Sequence, residues 1–62
     1  MVTANIKSAN LVNANLVNAN LNWAHLENAN LKGTDLRYAN LENANLENVN
    51  FQNSRLSHVD FS

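Results

Sequence analysis

Residues 9–31 read ANLVNANLVNANLNWAHLENANL, and in this stretch a leucine recurs at every fifth position. The period of five runs without interruption along the chain and places a large apolar residue at Ile6, Leu11, Leu16, Leu21, Leu26, Leu31, Leu36, Leu41, Leu46, Phe51, Leu56 and Phe61. A small residue, most often alanine, stands two positions earlier, at Ala4, Ala9, Ala14, Ala19, Ala24, Ala29, Thr34, Ala39, Ala44, Val49, Ser54 and Val59. Such a fixed internal period indicates a repeat architecture, because one unit cannot bury its apolar side alone.

A period of five fits neither an α-helix nor a flat β-strand. On a helix, steps of five residues would rotate the leucines around every side, and on a strand they would alternate between the two faces. The pattern becomes consistent if each unit forms one side of a coil and the chain turns a corner between units. The large residue and its small partner then face inward, and the other three residues of the unit face outward.

The repeats Ala-Asn-Leu-Val-Asn at 9–13 and 14–18, and Ala-Asn-Leu-Glu-Asn at 39–43 and 44–48, resemble the A(D/N)LXX unit of pentapeptide-repeat proteins. The resemblance covers residues 4–62, after an N-terminal lead-in of residues 1–3. It implies an all-β fold, a right-handed quadrilateral β-helix (a solenoid) of about three 20-residue coils. The position before the central leucine points outward in that family, so His25 and Arg55, which replace Asn or Asp there, should leave the core intact.

Four units in each coil would stack residues that lie twenty positions apart, with the β spacing of about 4.8 Å. Thr34 then falls above Ser54, and we expect their buried hydroxyls to satisfy one another. We also expect the amides of outward columns to form ladders. Examples are the inward column Leu16, Leu36, Leu56 and the outward column Asn10, Asn30, Asn50.

Composition limits the class of protein. The chain has 62 residues, enough for one small domain, and its formal charge of −1 creates no field that would attract nucleic acid. No apolar run approaches the length of a membrane span or a signal peptide, and there is no cysteine for disulfides. We therefore expect a cytoplasmic location. Fifteen asparagines are a bias seen in disordered chains, but such chains lack a regular apolar ladder.

Residues with catalytic or metal-binding chemistry are few. His25 and His58 lie on different sides in this register, and we expect neither to have a carboxylate or second imidazole that completes a metal set. The serines have no positioned base, and the single glycine, Gly33, excludes a phosphate-binding loop. We expect no enzyme activity, no cofactor and no metal. The same register predicts an aromatic contact between Tyr38 and His58.

Outward charges are sparse, and stacking pairs Lys7 with Glu27 and Asp35 with Arg55 as surface ion pairs. Outward apolar residues are more unusual. They form a candidate lateral contact, the lateral patch, for an unidentified protein partner: Val12, Val17, Trp23 and Tyr38.

Two further alternatives remain open. Some pentapeptide-repeat proteins mimic DNA with acidic sides and inhibit type II topoisomerases such as gyrase, so the resemblance implies that function as a possibility. This chain offers Glu27, Glu42 and Glu47 for it, and Lys7 and Lys32 offset them. The other alternative is a designed or excised repeat fragment without an activity of its own.

The ends of the coil give the favoured hypothesis, because solenoids normally need caps and residues 4–62 show none. The bulkiest inward residues lie in the last coil and form a candidate end interface, the end patch. Its members are Val49, Phe51, Val59 and Phe61.

We therefore expect a non-enzymatic structural module that forms homo-oligomers through its coil ends. The concentration of bulk at one end favours a closed end-to-end dimer. The alternative is a head-to-tail filament, in which Ala4 of the next copy takes the place of a residue 64 and Met1 and Val2 splay aside.

Overall fold

The structure, a computed structural model, describes residues 3–62. Met1 and Val2, which make up most of the lead-in, lie outside the described residues. Their predicted displacement in a filament therefore also lies outside them. The described chain contains no helix, and its β-structure consists of isolated parallel bridges. Each bridge joins residues twenty positions apart: Asn5 to His25, Asn10 to Asn30, Asn15 to Asp35, Asn20 to Asn40, His25 to Asn45, Asn30 to Asn50, Asp35 to Arg55 and Asn40 to Asp60. The predicted register of twenty residues is therefore confirmed.

We number the stretches coil 1 (4–23), coil 2 (24–43) and coil 3 (44–62); the first two have twenty residues and the third has nineteen. Backbone hydrogen bonds join the coils in one recurring pattern. In the unit 24–28, the Leu26 N–H donates to the Asn45 carbonyl at 3.0 Å and the Asn28 N–H donates to the Glu47 carbonyl at 2.9 Å. In return, the Asn45 N–H donates to the Ala24 carbonyl at 2.9 Å. Most backbone groups of a unit thus find their partners in the coil above or below.

A tight turn makes each corner. The Ala29 N–H donates to the Leu26 carbonyl at 2.9 Å, which closes a four-residue turn. The third residue of such turns has a positive φ while the second does not, as a type II turn requires. Asparagine tolerates this left-handed conformation better than most residues and supplies it at Asn13, Asn18, Asn28, Asn43, Asn48 and Asn53.

The residue before the large apolar residue, usually asparagine, stabilises the corner of its unit from the outside. The Oδ1 atom of Asn50, for example, accepts the N–H of Gln52 at 2.9 Å, an Asx turn. The same bond recurs at Asn5, Asn10, Asn15, Asn20, Asn30, Asp35, Asn40, Asn45 and Asp60. The predicted amide ladder is therefore wrong about these oxygens, which accept from the backbone two residues further along.

The core is centred on coil 2. Its inward residues are fully buried, whereas the corresponding residues of coils 1 and 3 are mostly half-buried and pack against it. The predicted bond between Thr34 and Ser54 is wrong: the Thr34 hydroxyl donates to the Leu11 carbonyl at 2.8 Å, and the Ser54 hydroxyl donates to the Phe51 carbonyl at 2.7 Å. Both hydroxyls therefore donate to backbone carbonyls and not to each other.

Gly33 is held in place by its conformation and by a neighbour. Its φ is +68°, and a Cβ at this position would collide with Oδ1 of Asn13 in the coil before. We expect Gly33→Ala to lower the free energy of unfolding by about 1–2 kcal/mol, since an L-residue is strained in this region. Urea denaturation measures the change. Asn53→Gly, at the equivalent corner of coil 3 with φ +60°, is the control and should alter stability by less than about 0.5 kcal/mol. Equal effects of the two changes would contradict this account.

Arg55 occupies the position where every other unit except the one that contains His25 places the Asx acceptor. We expect Arg55→Asn to raise the free energy of unfolding by about 0.5 kcal/mol, because its Oδ1 can accept the Ser57 N–H. Arg55→Ala provides no acceptor and serves as the control. Urea denaturation of both variants separates the new bond from the loss of the charge, and a gain shared by both would show that the bond contributes nothing.

Candidate functional site

The end patch lies on the outer side of coil 3. Phe51 and Phe61 lie two units apart in coil 3, at positions whose equivalents in coil 2, Leu31 and Leu41, are buried in the core. Their rings meet edge to face, with centroids 6.5 Å apart and an interplanar angle of 88°. Val49, Phe51 and Val59 are half-buried against the core, and Phe61 is 50% exposed. The structure therefore brings these residues together as one apolar cluster at the end of the coil.

The backbone around the end patch has an open edge. Within residues 3–62, the N–H groups of Leu46, Phe51 and Leu56 donate to no other coil. The equivalent Leu26 N–H in coil 2 donates to Asn45. Apolar side chains surrounded by free donors and acceptors are the features of a surface that pairs with another β-edge.

The lateral patch is divided among three corners. Val12 lies at the corner after the second unit of coil 1, and Trp23 lies at the corner after the fourth unit. Val17 and Tyr38 share one corner, which follows the third unit of coil 1 for Val17 and the third unit of coil 2 for Tyr38. Trp23 is 46% exposed and Tyr38 is 58% exposed. Both have a positive φ, 64° and 63°, in the position that asparagine usually takes. The predicted contact of Tyr38 with His58 is confirmed, since the rings stack with centroids 4.8 Å apart at 7°.

Glu27 is the most engaged of the three glutamates considered for DNA mimicry. Its carboxylate lies 3.8 Å from Nζ of Lys7, as predicted, and 3.4 Å from Nδ1 of His25. Within the described residues, the Glu27 carboxylate is the one acidic group that lies against His25, and this pair alone does not make a metal-binding set. Glu42 accepts a hydrogen bond from Nδ2 of Asn22 at 3.4 Å. Two of the three carboxylates are thus already engaged within the chain.

Asp35 pairs with Arg37 and not with the predicted Arg55. Two nitrogens of the Arg37 guanidinium donate to the Asp35 carboxylate at 2.9 and 2.7 Å. These hydrogen bonds are the main reason that the pKa of Asp35 lies below its usual value. The pKa of Asp60 is also lowered, because the hydroxyl and the N–H of Ser62 donate to its carboxylate. Both aspartates stabilise the corners that follow them.

The described part of the chain contains no pocket, and its His, Asp and Glu side chains form no group of three that could hold a metal ion. It also contains no helix that could cross a membrane. Two buried side-chain oxygens in residues 3–62 lack a hydrogen-bond partner, Oδ1 of Asn22 and Oε1 of Glu27. They lie on neighbouring corners and do not converge on a common site.

The other open edge belongs to coil 1. The sequence predicted that the coil ends are uncapped, but this prediction did not name the residues of this edge. Within residues 3–62, the backbone N–H and C=O groups of Asn10, Asn15 and Asn20 bond to no other coil. Their equivalents in coil 2, such as Asp35, use both groups. The register of twenty already indicates this edge, because no described residue lies twenty positions before Asn10, Asn15 or Asn20.

Comparison with known families agrees with the repeat pattern. The family model for pentapeptide repeats matches residues 4–37 and 24–62 with eight copies of the repeat. The chain therefore belongs to the pentapeptide-repeat family, whose members are known to form a β-helix. No curated protein matches the chain.

The lowered pKa values of Asp35 and Asp60 predict that stability depends on pH in acid. A carboxyl whose pKa is lower in the folded chain stabilises the fold above its unfolded pKa, near 3.8, and this contribution is lost as the pH falls through the folded value. We expect stability to fall between about pH 5 and pH 2 and to fall less in the double variant Asp35→Asn/Asp60→Asn. Asn retains an Oδ1 acceptor but carries no charge, so the double variant should be less stable than the unmodified chain near pH 7, and the two chains should become similar near pH 2. Urea midpoints across this range test the prediction, which fails if the two pH profiles are parallel.

Proposed function

We propose that this chain is a non-enzymatic structural module that forms homo-oligomers through its coil ends. In the proposal the fold is a right-handed quadrilateral β-helix of three coils. The observation that carries it is the gradient of burial along the coil axis. Leu26, Leu31 and Leu36 in coil 2 are 0% exposed, while Phe61 at the end of coil 3 is 50% exposed.

The physical reason lies in the layered architecture. An inward side chain is fully buried only when a coil lies above it and another lies below it. The end patch has a neighbour on one side alone, so its apolar atoms remain in contact with water. A second copy placed against it would bury that surface, at about 25 cal/mol for each Å², and would give the open backbone edge its partners.

The remaining parts of the proposal follow from composition. The serines and histidines of the described residues show no arrangement of nucleophile, base and orienting acid, which supports a structural role. A sequence without cysteine fits the cytoplasm, which we include in the proposal.

A protein-binding role for the lateral patch is the second candidate. The exposed aromatic side chains of Trp23 and Tyr38 sit on backbone at positive φ, a conformation that costs free energy in aromatic residues. That cost favours a role for them beyond the fold. DNA mimicry has less support, because Glu27 and Glu42 are engaged within the chain and the longest extent, 27 Å, is shorter than one turn of DNA.

Replacing Phe61 by Gln tests the end interface. We expect the variant to fold, since Phe61 is half exposed, and to self-associate about tenfold more weakly, because the apolar contact with the second copy is lost. Sedimentation equilibrium over a range of protein concentrations measures the association.

Tyr38→Gln is the matched control, since Tyr38 is an aromatic residue of similar exposure, 58%, on the lateral patch. It should associate like the unmodified chain. If the unmodified chain stays monomeric and folded at high micromolar concentration, the proposal is wrong. If only Tyr38→Gln weakens the association, the lateral patch is the interface.

A further inference from the structure

The two open edges of the chain are complementary. The outer edge of coil 3 offers the N–H groups of Leu46, Phe51 and Leu56, together with the carbonyls of the small residues that precede them. The outer edge of coil 1 offers both backbone groups of Asn10, Asn15 and Asn20. Between coils 2 and 3, the equivalent groups are paired with one another. The Leu31 N–H donates to the Asn50 carbonyl, and the Asn50 N–H donates to the Ala29 carbonyl. Each open edge is thus one half of the interior bonding pattern.

The length of the coil allows the pattern to continue from one copy to the next. Because the bridges join residues twenty positions apart, a position 64 would begin a fourth coil, and Ala4 of the next copy can take its place sixty residues after Ala4 of the first. The Leu31 N–H donates to the carbonyl nineteen residues later, that of Asn50. By the same interval, the Phe51 N–H would reach a position 70, which the Asn10 carbonyl of the next copy occupies. The N–H of that Asn10 would in turn reach the Val49 carbonyl.

We infer that the second copy binds head to tail, with coil 1 of one chain stacked on coil 3 of another, so that the assembly is open-ended. This inference rests on the self-association proposed above and names its geometry. A two-fold dimer through coil 3, which the bulk of the end patch alone favours, would leave the edge of coil 1 unpaired in both copies. Head-to-tail stacking pairs both edges of every copy inside the assembly.

The surface charges agree with this arrangement. Lys7 pairs with Glu27 one coil further along, at 3.8 Å, and Glu47 follows in the same column. Continuing the register places Lys7 of the next copy beside Glu47. The two adjacent glutamates would then have a lysine on each side, so opposite charges meet at the junction.

The variant Asn15→Pro separates the head-to-tail geometry from a two-fold dimer. Proline removes an N–H that has no partner in residues 3–62 and places its ring on the open edge of coil 1. It also removes the Asx bond in which the Val17 N–H donates to the Asn15 Oδ1 at 3.1 Å. Asn15→Ala loses that bond too but retains the N–H, and is the matched control.

We expect sedimentation velocity to show species of the 62-residue chain larger than a dimer, growing with concentration. Asn15→Pro should weaken association at least about tenfold relative to Asn15→Ala. Mixed with unmodified chain in small amounts, Asn15→Pro should shorten the assemblies, because its coil 3 edge still binds and its coil 1 edge does not.

The possible outcomes distinguish the two proposals. Association that stops at a dimer and is the same in Asn15→Pro and Asn15→Ala would overturn head-to-tail stacking and leave end-to-end association standing. A chain that remains monomeric would overturn both. Circular dichroism of each variant establishes that it is folded, and if Asn15→Pro unfolds, Asn10→Pro with Asn10→Ala makes the same test on the neighbouring side.

Discussion

The left-handed corner after every fifth residue is the constraint on which the rest of the structure depends. A residue with φ near +60° turns the chain at each unit and lets it meet itself twenty residues later. The single bridges, the inward columns and the buried coil 2 all follow from that return. Because an L-residue pays for this conformation with strain, the corners limit what each unit can contain, and the leucines only fill the interior that the corners enclose.

The abundance of asparagine therefore has a structural reason. In units such as 9–13 and 44–48, one asparagine adopts the left-handed conformation and the other accepts the backbone N–H two residues further along, so both act on the same corner. Exceptions are informative for the same reason. Gly33 stands where the Asn13 side chain would collide with a Cβ. Trp23 and Tyr38 have a positive φ at positions where asparagine would be less strained. They are therefore the clearest candidates on the sides of the coil for contact with a protein partner.

The sequence predicted the repeat register, the inward residues, the Lys7–Glu27 pair and the contact of Tyr38 with His58, because these depend only on counting positions. It did not predict the partners of Thr34, Ser54 and Asp35. Each of them bonds to a group that lies about 3 Å away after the turn is formed, and such choices depend on local geometry that a column does not resolve. Similarly, the register of twenty indicates both the end patch and the open edge of coil 1, whereas the backbone groups of residues 3–62 that lack a partner in another coil are known from the structure.

Stability and association are closely connected in a molecule made of equivalent layers. A layer is fully buried only between two others, and of the three coils here only coil 2 has both neighbours. The groups that would bind another copy are the same kinds of groups that hold coil 2 in place: backbone edges and inward apolar side chains. A partner that binds the folded chain alone would stabilise it by mass action. The measured stability of the chain should therefore depend on its concentration. Adding or removing a single layer would change the stability and the association together.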